Sequence, residues 1–173
     1  LDETRNLLVS YGYKDQTLKF WDNTTGQLLH TEDLEGYNND LEINVKEGKT
    51  YTLVNNTVIV YSNETFKEIN RYPLGRIFAM YYNDTMQPAG LLVYAQDVNG
   101  AAAMYSLDEA NGTFIPAQLA PFQGDGEINH FELSPSNGHM WIATNYMNNY
   151  IYSFESGKSF VTQDYVMDLM DDG

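Results

Sequence analysis

Apolar and polar residues alternate along most of this chain, in short runs rich in Val, Ile, Tyr, Phe and Thr. Successive side chains of a strand point to opposite faces, so a two-residue alternation marks half-buried β-structure. Gly, Asn and Asp interrupt the runs at short intervals and supply tight turns. The stretch "DQTLKFWDNTTGQLLHTEDLEG" (15–36) reads as a strand, a turn and a second strand. Helical spacing is scarce, and the pattern predicts an all-β chain of many short antiparallel strands.

The hairpin recurs. "TLKFWDNTTGQLL" (17–29) has counterparts in "TVIVYSNETFKEI" (57–69), "AAMYSLDEANGTFI" (102–115) and "YIYSFESGKSFV" (150–161). Aligning Phe20, Val60, Met104 and Tyr152 gives a period of about 40–50 residues, the length of a four-stranded β-propeller blade. Four blades are predicted, at approximately 1–36, 37–75, 76–124 and 125–173. We letter their strands a to d from the propeller axis outward; the first blade has no strand a. A β-sandwich with coincidental spacing is the competing architecture. The incomplete first blade favours a segment of a larger ring of about seven or eight blades over a closed four-bladed one.

The first unit resembles a WD repeat. It has an Asp in the b–c turn (Asp15), a Thr two residues later (Thr17) and a Trp-Asp pair ending strand c (Trp21, Asp22). "DNTTGQLL" equally resembles quinoprotein-like blades. In the next two units Tyr61-Ser62 and Tyr105-Ser106 replace Trp-Asp, and no Gly-His pair precedes any strand a. The third unit and the general layout also resemble the luminal propeller of the largest subunit of the endoplasmic reticulum membrane protein complex. That resemblance implies a non-enzymatic scaffold in a membrane-protein insertion complex, with other subunits as partners.

Charge removes some partners. With 9 basic and 24 acidic residues the net charge is -15, which excludes the basic footprint that nucleic acid or anionic lipid requires. No apolar run approaches the ~20 residues of a membrane-spanning helix, so no direct membrane insertion by this segment is expected. Cysteine is absent, so disulfides and thiolate metal sites are excluded.

Five Asn-x-Thr triplets stand at Asn23, Asn55, Asn63, Asn83 and Asn111. Asn23, Asn63 and Asn111 fall in predicted c–d turns, Asn83 in an a–b turn and Asn55 in a b–c turn. Such triplets are acceptors for N-linked sugar, which needs an exposed site in a secretory compartment. The expectation is a glycoprotein of the secretory pathway, in the endoplasmic reticulum lumen or outside the cell. Asn also simply favours turns, which leaves a cytosolic WD-type scaffold as an alternative.

The b–c and d–a connections would form the opposite, sugar-poorer face. They carry Tyr13, Tyr37, Phe122 and Tyr146 with Asp15, Asp40, Asp125 and Glu127. Exposed aromatic residues among small polar ones suit protein recognition, so these eight are the candidate partner-binding residues. Metal, cofactor and catalytic signals are weak. "GDGE" (124–127) lacks the ligand spacing of a calcium loop, and His30, His130 and His139 are not clustered. A propeller enzyme of lactonase or hydrolase type remains the rival class. It would use Asp40, Glu127 and His130, which lie near the starts of strands a.

Overall fold

The computed structural model describes residues 1–84, 90–96, 102–117, 128–134, 139–144, 149–153 and 159–162. Every helix or strand among the described residues is a strand, and there are fifteen. They form four antiparallel sheets, one of three strands and three of four. The first holds β1 (Leu7–Gly12), β2 (Thr17–Asp22) and β3 (Leu28–Asp33). The second holds β4 (Asn38–Asn44), β5 (Lys49–Val54), β6 (Thr57–Ser62) and β7 (Glu68–Pro73). The third holds β8 (Ile77–Asn83), β9 (Gly90–Gln96), β10 (Ala102–Asp108) and β11 (Thr113–Pro116). The fourth holds β12 (Ile128–Ser134), β13 (His139–Thr144), β14 (Asn149–Ser153) and β15 (Ser159–Thr162). Strands pair in chain order within each sheet, the up-and-down meander of a propeller blade.

The alternation becomes burial. In β1 and β2, Leu7 pairs across from Asp22, Val9 from Phe20 and Tyr11 from Leu18, which places these side chains on one face. Leu7, Val9, Leu18 and Phe20 from that face pack with Ile59 and Tyr61 of the second sheet in one buried cluster. Ile59 and Tyr61 stand opposite Thr52 and Thr50, so they too share a face. The chain forms two compact units, Leu1–Gly75 and Arg76–Gly173. The second unit repeats the pattern: Ala79 and Leu92 of the third sheet pack with Ile142 and Tyr150 of the fourth.

Register shows how closely the sheets repeat. Asp22 pairs with Leu7, and Ser62 with Lys49, each at the first residue of strand b. A bulge recurs near the start of every a–b pair, at Asn38/Asp40, Ile77/Ala79 and Ile128/His130. The c–d turns align just as well. Asp22 N–H donates to Gln27 O and Ser62 N–H to Lys67 O, and Asp108 pairs with Thr113. On this register Phe20 and Val60 are equivalent, but their counterparts are Ser106 and Ile151. The sequence alignment on Met104 and Tyr152 is therefore shifted in the third and fourth blades. Loop lengths differ there, and side-chain resemblance between apolar strand residues does not pin the register.

Asp2 occupies the place where strand a of the first blade would end. It makes an isolated bridge with Leu7, as Asn44 at the end of β4 pairs with Lys49. Both cap the following turn in the same way. Asp2 Oδ1 accepts from Arg5 N–H at 3.1 Å and Asn44 Oδ1 from Glu47 N–H at 3.0 Å. In each, the short polar side chain satisfies a backbone donor three residues on.

Candidate partner-binding surface

The surface is built where the β3–β4 connection crosses the β1–β2 turn. Leu34, buried beneath it, donates its N–H to Gln16 O at 2.7 Å. This bond ties the two loops together. Tyr13 and Tyr37, one from each loop, then stack with ring centroids 5.1 Å apart and an interplanar angle of 28°. They remain 58% and 52% exposed, so the pair spends none of its outer faces on the core. Aromatic pairs in this offset geometry hold each other in place, which lowers the ordering cost a partner would meet.

Asp15 lies in the same turn. Its Oδ2 accepts from Lys19 Nζ at 2.9 Å. The Lys19 hydrogen bond, the leading cause, lowers its pKa below the ordinary aspartate value. The carboxylate folds back over Gly12, where any Cβ would meet Asp15 Oδ1. Gly36 is needed for a similar close approach, because a Cβ there would strike the Asn55 amide.

Asn55 and Asn56 form the two-residue β5–β6 turn with φ of 47° and 63°, the left-handed pair that such hairpins require. Asn55 Nδ2 donates to Glu35 O at 3.0 Å. Beside it lies a shallow pocket of about 120 Å³ lined by Glu35, Val54, Asn55, Thr57, Ile59 and Arg71. Arg71 grips Glu68 through two hydrogen bonds, at 2.6 and 2.9 Å, and reaches Glu35 at 3.3 Å. These contacts raise its pKa further, Glu68 contributing most. The sequence reading missed Glu35 and Arg71; their separation along the chain hides the contact.

The structure thus brings Tyr13, Asp15 and Tyr37 into one region. Asp40 departs from expectation. The sequence pattern puts it in a d–a loop, but it lies within β4 opposite Leu53, and its Oδ1 accepts from Leu41 N–H. The bulge at Asn38/Asp40 lets pairing begin earlier than alternation suggests. Phe122, Asp125, Glu127 and Tyr146 lie outside the described residues.

The sequons divide by burial. Asn23, Asn55 and Asn111 are exposed. Asn63 is 3% exposed and both polar atoms of its amide are engaged: Nδ2 donates to Asp2 Oδ2 at 2.8 Å and Oδ1 accepts from Thr50 Oγ1 at 2.7 Å. Asn83 is also 3% exposed and ends β8 rather than lying in a turn. A sugar on either nitrogen has no room in this fold, which corrects the expectation for these two positions. Asn111 also differs in rank. It matches Thr25 and Thr65 in the c–d turn, not Asn23 and Asn63, and its Nδ2 donates to Asp108 Oδ2 at 2.8 Å. That bond is the first cause of the lowered Asp108 pKa.

Among the described residues, no three His, Asp or Glu side chains converge as metal ligands would. No family model matches the chain, and no curated protein matches its sequence. Solved structures do match its fold. The structure of U3-55K aligns over 93% of this chain and 49% of its own, with TM-score 0.69 and 9% identity. The WD40 repeats of RRP9 align over 93% and 48%, with TM-score 0.68 and 9% identity. Hydrazine synthase of Kuenenia stuttgartiensis aligns over 91% and 46%, with TM-score 0.69 and 14% identity. The chain therefore has the β-propeller fold, with blades laid out as in WD-repeat proteins. It spans about half the length of these matched chains.

Proposed function

We propose that this chain is a protein-interaction scaffold without catalytic activity of its own, and that the Tyr13–Tyr37 platform is a contact point for a protein partner. The stacked, outward-facing pair is the observation that carries this reading. Rigid exposed tyrosines supply apolar area and a hydroxyl at little entropic cost, which is why they concentrate at binding hot spots. The likeness of its fold to the WD40 repeats of RRP9 is consistent with such a role. Proximity labelling in the native host, with the wild-type chain and with Tyr13→Ala and Tyr37→Ala, tests it. Either substitution is expected to reduce labelling of the same partner set by about tenfold, the loss of a hot-spot residue. Unchanged labelling in both variants overturns the proposal.

A luminal or extracellular location, with membership of a membrane-protein insertion complex as its most specific form, rests on the exposed sequons Asn23, Asn55 and Asn111. The buried Asn63 and Asn83 set a condition on it: both must escape sugar transfer before the fold closes. Endoglycosidase treatment of the native protein, followed by intact mass measurement, is expected to remove sugar from exposed sequons only. No mass shift overturns this location, whereas sugar mapped to Asn63 would contradict the burial of that side chain.

A further inference from the structure

The c–d turn of the third blade departs from the first two in where its Asn stands. In the first two blades the Asn is the second residue of the turn, at Asn23 and Asn63, and is followed by Thr24 and Glu64. In the third, Glu109 takes that place and the Asn stands two residues later, at Asn111, directly before Gly112. Gly112 is the left-handed fifth residue, with φ of 68° against 70° at Gly26 and 59° at Phe66. Both Asn111 and Gly112 are exposed.

The hydrogen bonding differs at the same point. Gly26 and Phe66 each donate their N–H to the first carbonyl of their turn. Among the described residues, the Gly112 N–H makes no backbone hydrogen bond. The third turn is held by the Asp108–Thr113 strand pair and by the Asp108 carboxylate. Asp108 Oδ1 accepts from Asn111 N–H at 3.1 Å, and Oδ2 accepts from Asn111 Nδ2 at 2.8 Å. An exposed amide, a following nitrogen that no side chain shields, and a carboxylate holding the amide thus meet in one turn.

We propose that Asn111–Gly112 is a site of spontaneous deamidation. Gly112 N loses its proton to solvent base and attacks Asn111 Cγ. The N–Cγ bond forms, the Cγ–Nδ2 bond breaks, and Nδ2 leaves as ammonia with a proton from water. Water then adds to either carbonyl of the cyclic imide and opens it, which gives an aspartate at position 111 or an isoaspartyl linkage. Gly112 has no Cβ to block the approach and turns freely about its backbone bonds. Its nitrogen also gives up no backbone hydrogen bond in order to react.

Asp108 opposes the reaction, because Asn111 must leave that carboxylate before Cγ can meet Gly112 N. The product reverses this role. A carboxylate at position 111 puts a negative charge where Nδ2 now donates, so the bond is lost and like charges repel. Deamidation therefore loosens the turn in which it occurs. Nδ2 is also the atom to which N-linked sugar is joined, so sugar transfer and deamidation exclude each other at this residue.

The test uses the native gene product carrying Thr113→Ala, which removes the sequon and leaves the Asn-Gly pair intact. The protein is held at physiological temperature and pH, and peptide mapping by mass spectrometry follows the conversion of each Asn. Asn111 is expected to convert about tenfold faster or more than Asn6 and Asn70, exposed residues followed by the side chains of Leu7 and Arg71. An intact Asn111, or a rate no greater than at Asn6 and Asn70, overturns the site. In the same background Gly112→Ala should slow conversion at Asn111 by about tenfold. Asp108→Ala should speed it by about threefold, the loss of one exposed charged hydrogen bond. An unchanged rate in either variant overturns the role given to that residue. Hydrogen exchange then separates repulsion from a merely lost bond. At low salt residues 108–116 should exchange faster in Asn111→Asp than in Asn111→Ala, and the difference should shrink at high salt. Equal exchange at low salt overturns the loosening of the turn.

Discussion

The c–d turns of the first and second blades have nearly the same backbone and opposite surroundings. In both, the fifth residue donates its N–H to the first residue's carbonyl at 2.8 Å, Gly26 to Asp22 and Phe66 to Ser62. In both, the first side chain caps the loop: Asp22 Oδ1 accepts from Thr24 and Thr25, and Ser62 Oγ from Glu64 and Thr65. The fifth residue is left-handed in each, with φ of 70° at Gly26 and 59° at Phe66. Glycine takes that conformation freely, whereas phenylalanine does so against steric opposition. Phe66 is held there by its ring, 5.1 Å from Phe20 and stacked on His30 at 5.9 Å. The second turn is thus a piece of the core, while the first is a solvent loop. Local hydrogen bonding sets a turn's shape, and the neighbouring blade decides what the turn is for.

The sharpest way to break this comparison is at Phe66. Phe66→Ala is expected to cost about 3 kcal/mol, because the ring contacts are lost while the left-handed strain remains. Phe66→Gly should cost about 1 kcal/mol less, because glycine relieves that strain. Denaturant unfolding measures both, and an alanine variant as stable as the glycine one would remove strain from the account.

Next in size is the asparagine pair. Asn63→Ala takes from Thr50 its side-chain partner and from Asp2 one donor, leaving Asp2 only Arg5, and is expected to cost about 2 kcal/mol. Asn23→Ala in the 1–173 chain should stay within about 0.5 kcal/mol, as an exposed substitution does. Equal costs would mean that the two turns are not distinguished by burial.

The smallest effect is in pH. Backbone N–H donation, first from Thr25, holds the Asp22 carboxyl below the usual 3.8. A group with a lowered folded pKa adds stability that is present above its unfolded value and is lost as pH falls through the folded one. Ser62 does not titrate. Below about pH 4, hydrogen exchange at the Thr24 and Thr25 amides should therefore accelerate relative to Glu64 and Thr65, by a small factor because the site is exposed. Parallel acceleration in both turns would point to global rather than local opening.

Much of this was legible beforehand. Alternation located the strands, because each central strand meets another blade on at least one face and therefore buries every second side chain. The tight turns were legible from Gly, Asn and Asp, whose preferences are local. Blade register was not, since neighbouring positions of one strand such as Met104 and Ser106 are distinguished only by their cross-strand partners. The site was half legible. Tyr13, Asp15 and Tyr37 stood out as loop aromatics and acid, but nothing local marked Asp40 as a strand residue or joined Glu35 to Arg71.

The sequons separate the two kinds of information most plainly. The amino-acid sequence by itself determined that asparagine would sit near blade turns and that the chain would be β-structured throughout, because turn chemistry and two-residue periodicity are short-range properties. Only the tertiary structure decided that Asn23 faces water while Asn63 is locked between Asp2 and Thr50. Burial depends on which blade packs against the turn, and that partner lies sixty-one residues away along the chain.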